Sequence, residues 1–113
     1  MEKIVEQGLL YDFYGELLTD HQRHIYEDVV FNDMSLSEIA EEQGISRQGV
    51  HDLIKRCDRI LAGYEEELRM VEKFNQTKRM VEEIKTLAGT YKKNGDMSLI
   101  DRIEAISEEI GQL

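Results

Sequence analysis

The stretch that most constrains the fold of this chain runs from residue 35 to residue 56 and predicts two helices joined by a tight turn. Ser35 can cap the first helix, while Glu38, three residues later, can bond back to the Ser35 amide. Gly44 can adopt the left-handed conformation that ends a helix, and Ser46 is a favourable cap for the next one. We therefore predict a helix-turn-helix over this stretch.

The second helix of this unit has an apolar inner stripe and a polar, partly basic outer face. Val50 and Leu53 lie three residues apart and point to the same core, and Ile45 bridges the two helices. A helix with such an outer face can enter the major groove of DNA. The residues that we predict to contact nucleic acid are Arg47, Gln48, His51, Lys55, Arg56 and Arg59. The alternative is an αα-hairpin that only packs helices.

The net charge of −10 is unevenly distributed along the 113 residues. Residues 1–45 carry 2 basic and 11 acidic side chains, residues 46–62 carry 4 and 2, and residues 63–113 carry 8 and 11. Neutralisation of phosphates is the main sequence-independent source of affinity for nucleic acid. The charge pattern therefore argues against a protein that coats nucleic acid through a broad basic surface and favours a focused contact by the second helix.

Length and composition predict an all-α protein. The chain has room for one ordinary domain, or for a small domain with a helical arm, but not for a large enzyme cleft. It has no proline, and Glu, Leu, Ile and Lys are abundant, which favours helices. The single cysteine, Cys57, cannot form an internal disulfide, and neither a targeting segment nor a long apolar run is recognised. We expect a soluble cytoplasmic protein that does not associate with membranes.

Two further helices are predicted before the helix-turn-helix. The first helix is weakened by Gly8 and Gly15 and carries an aromatic stripe. We interpret this stripe as part of the core, and the alternative is that it lines a ligand pocket. This stripe consists of Leu10, Phe13, Tyr14 and Leu17. Thr19 and Gln22 form a second capping box that opens a helix ending near Phe31. Its buried stripe consists of Ile25, Tyr26, Val29 and Val30.

Catalytic and metal-binding patterns are not recognised in the sequence. Nothing corresponds to a nucleophile elbow, a Walker loop or a zinc-protease motif, so we predict a non-enzymatic protein without a cofactor. His21 and His24 lie three residues apart with Asp28 nearby, but neither a cysteine nor a third histidine joins them at ligand spacing. We therefore interpret this segment as a solvent-facing first turn and predict no metal.

An apolar stripe continues beyond the helix-turn-helix. Steps of three and four residues from Leu61 to Tyr91 predict a helix that runs on to Lys93. Successive steps of three between Val71 and Thr77 indicate a local overwinding or a break. The sequence is thus divided into a helix-turn-helix domain, residues 1–62, and a C-terminal helical arm or hairpin, residues 63–113.

The last part of the arm is predicted to fold back. Asn94-Gly95 is a turn signal, after which Ser98 and Asp101 can open a last helix. The arm is then either an intramolecular hairpin or a seam for a second copy or another partner, and so thin a hairpin leaves an apolar face to be covered. The residues predicted for this oligomer or partner face are Leu68, Val71, Phe74, Val81, Ile84 and Tyr91.

Several of these segments resemble known proteins. Residues 18–23, 35–40 and 44–50 resemble region 4 of sigma factors, the domain that reads an upstream promoter element. Residues 10–19, together with Lys55-Arg56 and the acidic residues 64–68, make the chain similar to the YlxM family of small bacterial proteins. The resemblance implies a sigma region 4-like helix-turn-helix bundle, winged-helix-like in the broad sense, followed by long C-terminal helices.

The resemblance also suggests a biological setting. YlxM family members are usually encoded beside the genes for the signal recognition particle protein and its receptor, which makes these two proteins candidate partners. Two functions follow: a DNA-binding regulator of that pathway, or a protein- or RNA-binding accessory factor of the particle. A complete alternative sigma factor is not expected, because the chain lacks a basic, aromatic-rich segment for opening promoter DNA. We expect DNA as the ligand, with RNA as the alternative, and a homo-oligomer.

Overall fold

The computed structural model describes residues 3–113, and this part of the chain is almost entirely helical. Its elements are α1 (Lys3–Tyr14), a 3-10 turn (Gly15–Leu17), α2 (Asp20–Val30), α3 (Leu36–Gln43), α4 (Arg47–Leu68), α5 (Met70–Asn94) and α6 (Met97–Gly111). The all-α prediction is confirmed. Since residues 3–113 contain no β-strand, nothing in them corresponds to the wing of a winged helix.

The chain forms two compact units, Met1–Val71 and Glu72–Leu113. The first contains α1 to α4 and the first two residues of α5, and the second contains the rest of α5 and α6. Helix α4 crosses the predicted domain boundary after residue 62 without interruption, and that boundary stays a prediction.

The core of the first unit is built around α4, which packs against α1, α2 and α3. Each helix contributes one apolar stripe to this core, as the helical spacing predicts. Its buried residues are Leu10, Tyr14, Leu18, Ile25, Tyr26, Val30, Ile39, Ala40, Val50, Ile54, Cys57, Leu61 and Val71. The aromatic stripe of α1 is therefore core at Leu10 and Tyr14, and Phe13 packs against it half-buried.

Both capping boxes predicted from the sequence are present. The Thr19 hydroxyl accepts from the Gln22 amide at 3.2 Å, and the Gln22 side chain accepts from the Thr19 amide at 3.0 Å. Ser35 and Glu38 make the same pair of bonds at 3.1 and 3.2 Å. Gly44 has φ 68° and ends α3 in the left-handed conformation. These local signals fix where α2 and α3 begin and where α3 ends.

The prediction that Leu17 faces the core is wrong, because its side chain is 55% exposed. The chain tightens into a 3-10 turn at Gly15, where three residues complete a turn, so the stripe moves on to Leu18, which is 5% exposed. A β-carbon at Gly15 would lie 2.8 Å from the Tyr11 ring. Glycine is thus required where the aromatic ring covers the turn.

The prediction of one continuous helix from α4 to Lys93 is also wrong, because the helix breaks at Arg69. This residue has φ 53°, and its amide ends α4 by donating to the Glu65 carbonyl at 2.8 Å. A polar clamp, which we define as Tyr14, Glu65 and the amides of Met70 and Val71, holds the break. The predicted irregularity therefore occurs two residues before Val71, and α5 is regular beyond it.

The last helix begins earlier than predicted. Gly95 forms the expected turn with φ 67°, but the cap of α6 is Asp96, whose Oδ1 accepts from the Ser98 amide at 3.0 Å and from the Ser98 hydroxyl at 2.8 Å. A carboxylate is a strong cap, and these bonds lower the Asp96 pKa. Ser98 therefore supports the cap and lies inside α6.

The second unit is a thin helical hairpin. Arg102 on α6 donates to Glu83 on α5 at 3.2 Å, and Ile106 on α6 is fully buried. Most of the other apolar residues of the described segment 72–113 are only half-buried. These include Ile84, Leu87 and Tyr91 on α5 and Leu99, Ile100, Ile103 and Ile110 on α6. The arm thus folds back on itself but has little core of its own.

Candidate nucleic-acid interface

The first turn of α4 is positioned by the turn that precedes it. The Ser46 hydroxyl accepts from the Gly49 amide at 2.9 Å, as expected of a cap. A β-carbon at Gly49 would lie 3.1 Å from the Ser46 hydroxyl oxygen, so glycine leaves this cap undisturbed. Val50 is fully buried and Ile54 nearly so, which anchors the inner face of α4 against α2 and α3.

All six residues predicted to contact nucleic acid lie exposed on α4. They are Arg47, Gln48, His51, Lys55, Arg56 and Arg59. Gln48, Lys55, Arg56 and Arg59 lie opposite the buried stripe, whereas Arg47 and His51 lie nearer its edge and are exposed close to the start of the helix. Leu36 of α3 lines an open groove together with Arg47, Gln48 and His51, at the N-terminal end of the helix. This surface, which we call the α4 face, is brought together as predicted, and its binding role stays a prediction.

The α4 face is more basic than the charge count of residues 46–62 indicates. Asp58 turns inward, where its Oδ1 accepts from the Tyr26 hydroxyl at 2.6 Å and from the Gln7 side-chain amide at 3.0 Å. Asp52 is exposed and accepts from Gln48 at 2.9 Å. The four cations of this segment therefore share the exposed side of α4 with one carboxylate rather than with two.

Asp58 is a structural residue that the sequence reasoning missed. It lies four residues after Ile54 and three before Leu61, both buried, so its place on the inner stripe could have been read from the spacing. Burial, together with the hydrogen bond to Asp58, raises the pKa of the Tyr26 hydroxyl. The hydroxyl therefore remains a donor at neutral pH and holds the carboxylate in place.

Only part of the predicted oligomer or partner face is exposed to solvent. Leu68, Phe74 and Val81 are 49%, 40% and 50% exposed, and Ile84 and Tyr91 are half-buried. Val71, in contrast, is 8% exposed and belongs to the core of the first unit, because the break at Arg69 turns it inward. Val71 therefore does not belong to the exposed oligomer or partner face.

One side-chain cluster differs from the sequence-based interpretation. His24 lies close to Asp28 as expected of residues one turn apart, but the third member is Glu42 of α3 and not His21. Sequence spacing could not reveal this, because Glu42 follows His24 by eighteen positions and a turn separates their helices.

Among the described residues, no helix is both long and apolar enough to cross a bilayer.

Comparison with known proteins agrees with this geometry. The family model described as "UPF0122: Putative helix-turn-helix protein, YlxM / p13 like" matches residues 1–102. The chain is 39% identical over 107 residues to UPF0122 protein YlxM of Bacillus subtilis, and the aligned region covers 94% of this chain and 97% of that protein. It is 43% identical over 114 residues to a UPF0122 protein of Acetivibrio thermocellus, with 97% of each chain covered. Over 107 residues it is 39% identical to a UPF0122 protein of Shouchella clausii, covering 94% of this chain and 98% of the relative. The chain therefore belongs to the UPF0122 family of YlxM/p13-like helix-turn-helix proteins.

Proposed function

We propose that this protein is a non-enzymatic regulator that binds nucleic acid, and DNA in the first instance, through the α4 face. The observation that carries the proposal is the set of exposed cations on a helix held at its start by a tight turn, with Asp58 turned away from them. A second helix presented in this way fits the major groove, where side chains of its first turn reach base edges.

The α4 face divides into two parts by position along the helix. Arg47 and Gln48 lie in the first turn and are assigned to base edges, where arginine recognises guanine through two hydrogen bonds. Lys55, Arg56 and Arg59 lie two to three turns further on and are assigned to phosphates, which they neutralise without reading sequence. The exposed side chains and the open groove beside the first turn support this division.

Asp52 opposes binding in two ways. It accepts a hydrogen bond from Gln48, which must be released before Gln48 can contact a base, and its negative charge repels phosphates. Asp52→Asn removes the charge but keeps an oxygen that can accept from Gln48, so it should raise affinity for all DNA sequences alike through the phosphate term. Because the side chain is exposed and the substitution preserves its shape, this variant tests the electrostatics of the α4 face without changing the fold.

A stable complex needs more than this one helix, because the whole chain has a net charge of −10. We propose that the apolar residues left exposed on the arm, Phe74 and Val81 among them, join two copies, so that two α4 faces contact one nucleic acid. Linking two weak sites can raise the overall affinity by about 10²- to 10⁴-fold.

We propose that the regulator acts in the signal recognition particle pathway and hence in the cytoplasm, and the resemblance to the YlxM family supports this proposal. The second candidate is an accessory factor that binds the particle's protein, its receptor or its RNA without reading DNA sequence. Exposed Glu66 and Glu67 and the acidic surplus of residues 1–45 favour it, because acidic side chains attract the basic surface of a ribonucleoprotein.

The test is binding of labelled genomic DNA fragments, followed by fluorescence anisotropy at several stated salt concentrations. The Lys55→Ala/Arg56→Ala variant should lower the slope of log affinity against log salt by about two, since each phosphate contact contributes about 0.9. Arg47→Ala should reduce discrimination between preferred and other sequences by about 1–3 kcal/mol. The matched control is Lys92→Ala/Lys93→Ala, which removes two exposed cations from the arm.

Equal slopes for the wild type and Lys55→Ala/Arg56→Ala would contradict the assignment of the α4 face. Equal loss in the arm control would show that affinity follows net charge alone. A pull-down from cell lysate with and without ribonuclease separates the two candidates. Ribonuclease-sensitive recovery of particle components without DNA would favour the accessory factor.

A further inference from the structure

Three potential metal ligands meet at the junction of α2 and α3. His24 and Asp28 lie one turn apart on α2, and Glu42 approaches them from the last turn of α3. His24 Nε2 lies 3.5 Å from Asp28 Oδ2 and 3.8 Å from Glu42 Oε1. The three ligand atoms all lie within 4.8 Å of one another.

These separations are too long for a fully formed hydrogen-bonded cluster. Nitrogen-to-oxygen hydrogen bonds in proteins span about 2.7–3.2 Å, and His24 Nε2 is further than that from both carboxylate oxygens. A metal bound by nitrogen and oxygen at about 2.0–2.2 Å in tetrahedral geometry keeps its ligand atoms about 3.3–3.6 Å apart. The separation of His24 from Asp28 falls in that range, and the separation of His24 from Glu42 exceeds it by a few tenths of an ångström, which the exposed Glu42 side chain can close on an ion.

The burial of Asp28 is the second observation, and it is independent of these distances. Asp28 is 7% exposed, and buried carboxylates are ordinarily paired or coordinate metals. Its Oδ1 is held by the Asn32 side-chain amide at 2.9 Å, which leaves Oδ2 directed at His24. A ligand carboxylate whose second oxygen is fixed by a neighbouring donor is the usual arrangement around protein-bound metals.

We propose that His24, Asp28 and Glu42 bind one divalent first-row transition-metal ion, with Zn²⁺ as the reference ion. An imidazole with two carboxylates suits such an ion, whereas Ca²⁺ and Mg²⁺ prefer sites made of oxygen alone. The side chains of His24 and Glu42 are about half exposed, so solvent can reach the ion and supply the remaining ligand. Asn32 acts as a positioning residue.

The ion would join α2 to α3 across the turn that connects them. Both helices pack against α4, so the bound metal would stabilise the packing of α2 and α3 on that helix. This inference goes beyond the proposed binding of nucleic acid and does not depend on it. Its test uses the full chain without nucleic acid, so failure of one proposal leaves the other standing.

The experiment is calorimetric titration of the chelator-treated full chain with Zn²⁺, together with Co²⁺ absorption spectra and thermal unfolding. The wild type should bind one ion per chain, and Zn²⁺ should raise its unfolding midpoint. His24→Ala and Glu42→Gln should weaken binding by at least about tenfold, and Asn32→Ala by about tenfold. The matched controls are His21→Ala and Glu41→Gln, exposed residues of the same types outside the cluster, which should bind as the wild type does.

Three results would overturn the proposal. The first is wild-type protein that binds neither Zn²⁺ nor Co²⁺. The second is equal weakening in the His21→Ala or Glu41→Gln control, or an equal rise of the unfolding midpoint with Mg²⁺, since either would show diffuse attraction to an acidic surface. The third is a sulfur-to-cobalt charge-transfer band, which would assign the ion to Cys57. Circular dichroism of each variant confirms that it is folded, and Glu42→Gln keeps the side chain's shape.

Discussion

Replacing Tyr14 by phenylalanine should lower the free energy of unfolding of the first unit by about 2 kcal/mol. The Tyr14 side chain is 1% exposed, so the ring remains packed and the change is confined to the hydroxyl. That hydroxyl donates to Glu65 Oε1 at 2.6 Å and accepts from the Met70 amide at 3.1 Å. A hydrogen bond to a charged group contributes about 1.5–3 kcal/mol, and the amide of exposed Met70 can recover part of its loss from water.

The measurement is urea denaturation followed by far-ultraviolet circular dichroism. A double-mutant cycle with Glu65→Ala should give a coupling energy of about 1–2 kcal/mol, because each single variant already removes their shared bond. The control is Tyr64→Phe, since the Tyr64 ring stacks on Tyr14 with centroids 6.0 Å apart but is less buried. It should cost no more than about 0.5 kcal/mol.

The dependence on pH supplies a second readout of the same hydroxyl. Burial and the hydrogen bond to Glu65 raise the pKa of Tyr14. A raised pKa means that the stability contributed by the protonated hydroxyl is complete below its ordinary pKa of 10.0 and is lost as the pH rises through the raised value. Tyr14→Phe should therefore lose less stability than the wild type on going to alkaline pH. A destabilisation below about 0.5 kcal/mol with no coupling to Glu65 would refute the clamp as the support of the α4–α5 break.

Three further predictions concern two glycines, the cysteine and the arm. Gly44→Ala should destabilise the first unit by about 1 kcal/mol, because φ is 68° there. Gly63→Ala should stabilise it by about 0.5–1 kcal/mol, because a β-carbon at this position within α4 meets nothing within 4 Å. Urea denaturation measures both free energies of unfolding, and a change in the same direction for the two variants would contradict the prediction. Burial raises the pKa of Cys57 to about 11, so its stabilising contribution is complete below about pH 9 and lost as the pH rises towards 11. The native thiol should accordingly react with a disulfide reagent at neutral pH only as fast as the protein opens, and rapid labelling of folded protein would contradict its burial. If the arm joins two copies, Val81→Glu with Ile84→Glu should shift sedimentation from dimer to monomer, and a wild type that already sediments as a monomer would leave only the hairpin.

The helix-turn-helix could be predicted because its signals are local. In both capping boxes a side chain bonds to a backbone amide three residues away, and Gly44 ends α3 through its own conformation. Such contacts are encoded within one turn of helix, so sequence spacing identifies them without knowledge of the tertiary structure. The exposed side of α4 follows from the same periodicity once the buried positions Val50 and Ile54 are assigned.

The predictions are wrong at positions whose conformation depends on residues that are far away in the sequence. Apolar spacing runs unbroken through Arg69, but the clamp that stabilises the break joins Tyr14 to Glu65, 51 positions along the chain. Similarly, hydropathy alone treats Leu17 and Leu18 as equivalent, whereas the 3-10 turn, whose Gly15 lies against the Tyr11 ring, exposes the first and buries the second. The spacing of apolar residues indicates which side of a helix is buried. It does not indicate at which residue contacts with distant side chains change or end the helix.

Asp58 connects the architecture of the first unit to the proposed interface. Apolar packing leaves a helix some freedom to rotate about its axis, because several neighbouring side chains can fill the same space. Hydrogen bonds are directional, and the Asp58 carboxylate receives one from Gln7 of α1 and one from Tyr26 of α2. These two bonds hold the Asp58 side of α4 against α1 and α2, which leaves Lys55, Arg56 and Arg59 on the exposed side. The same residue thus turns one negative charge away from the α4 face and adds two directional bonds to the apolar packing that orients the helix.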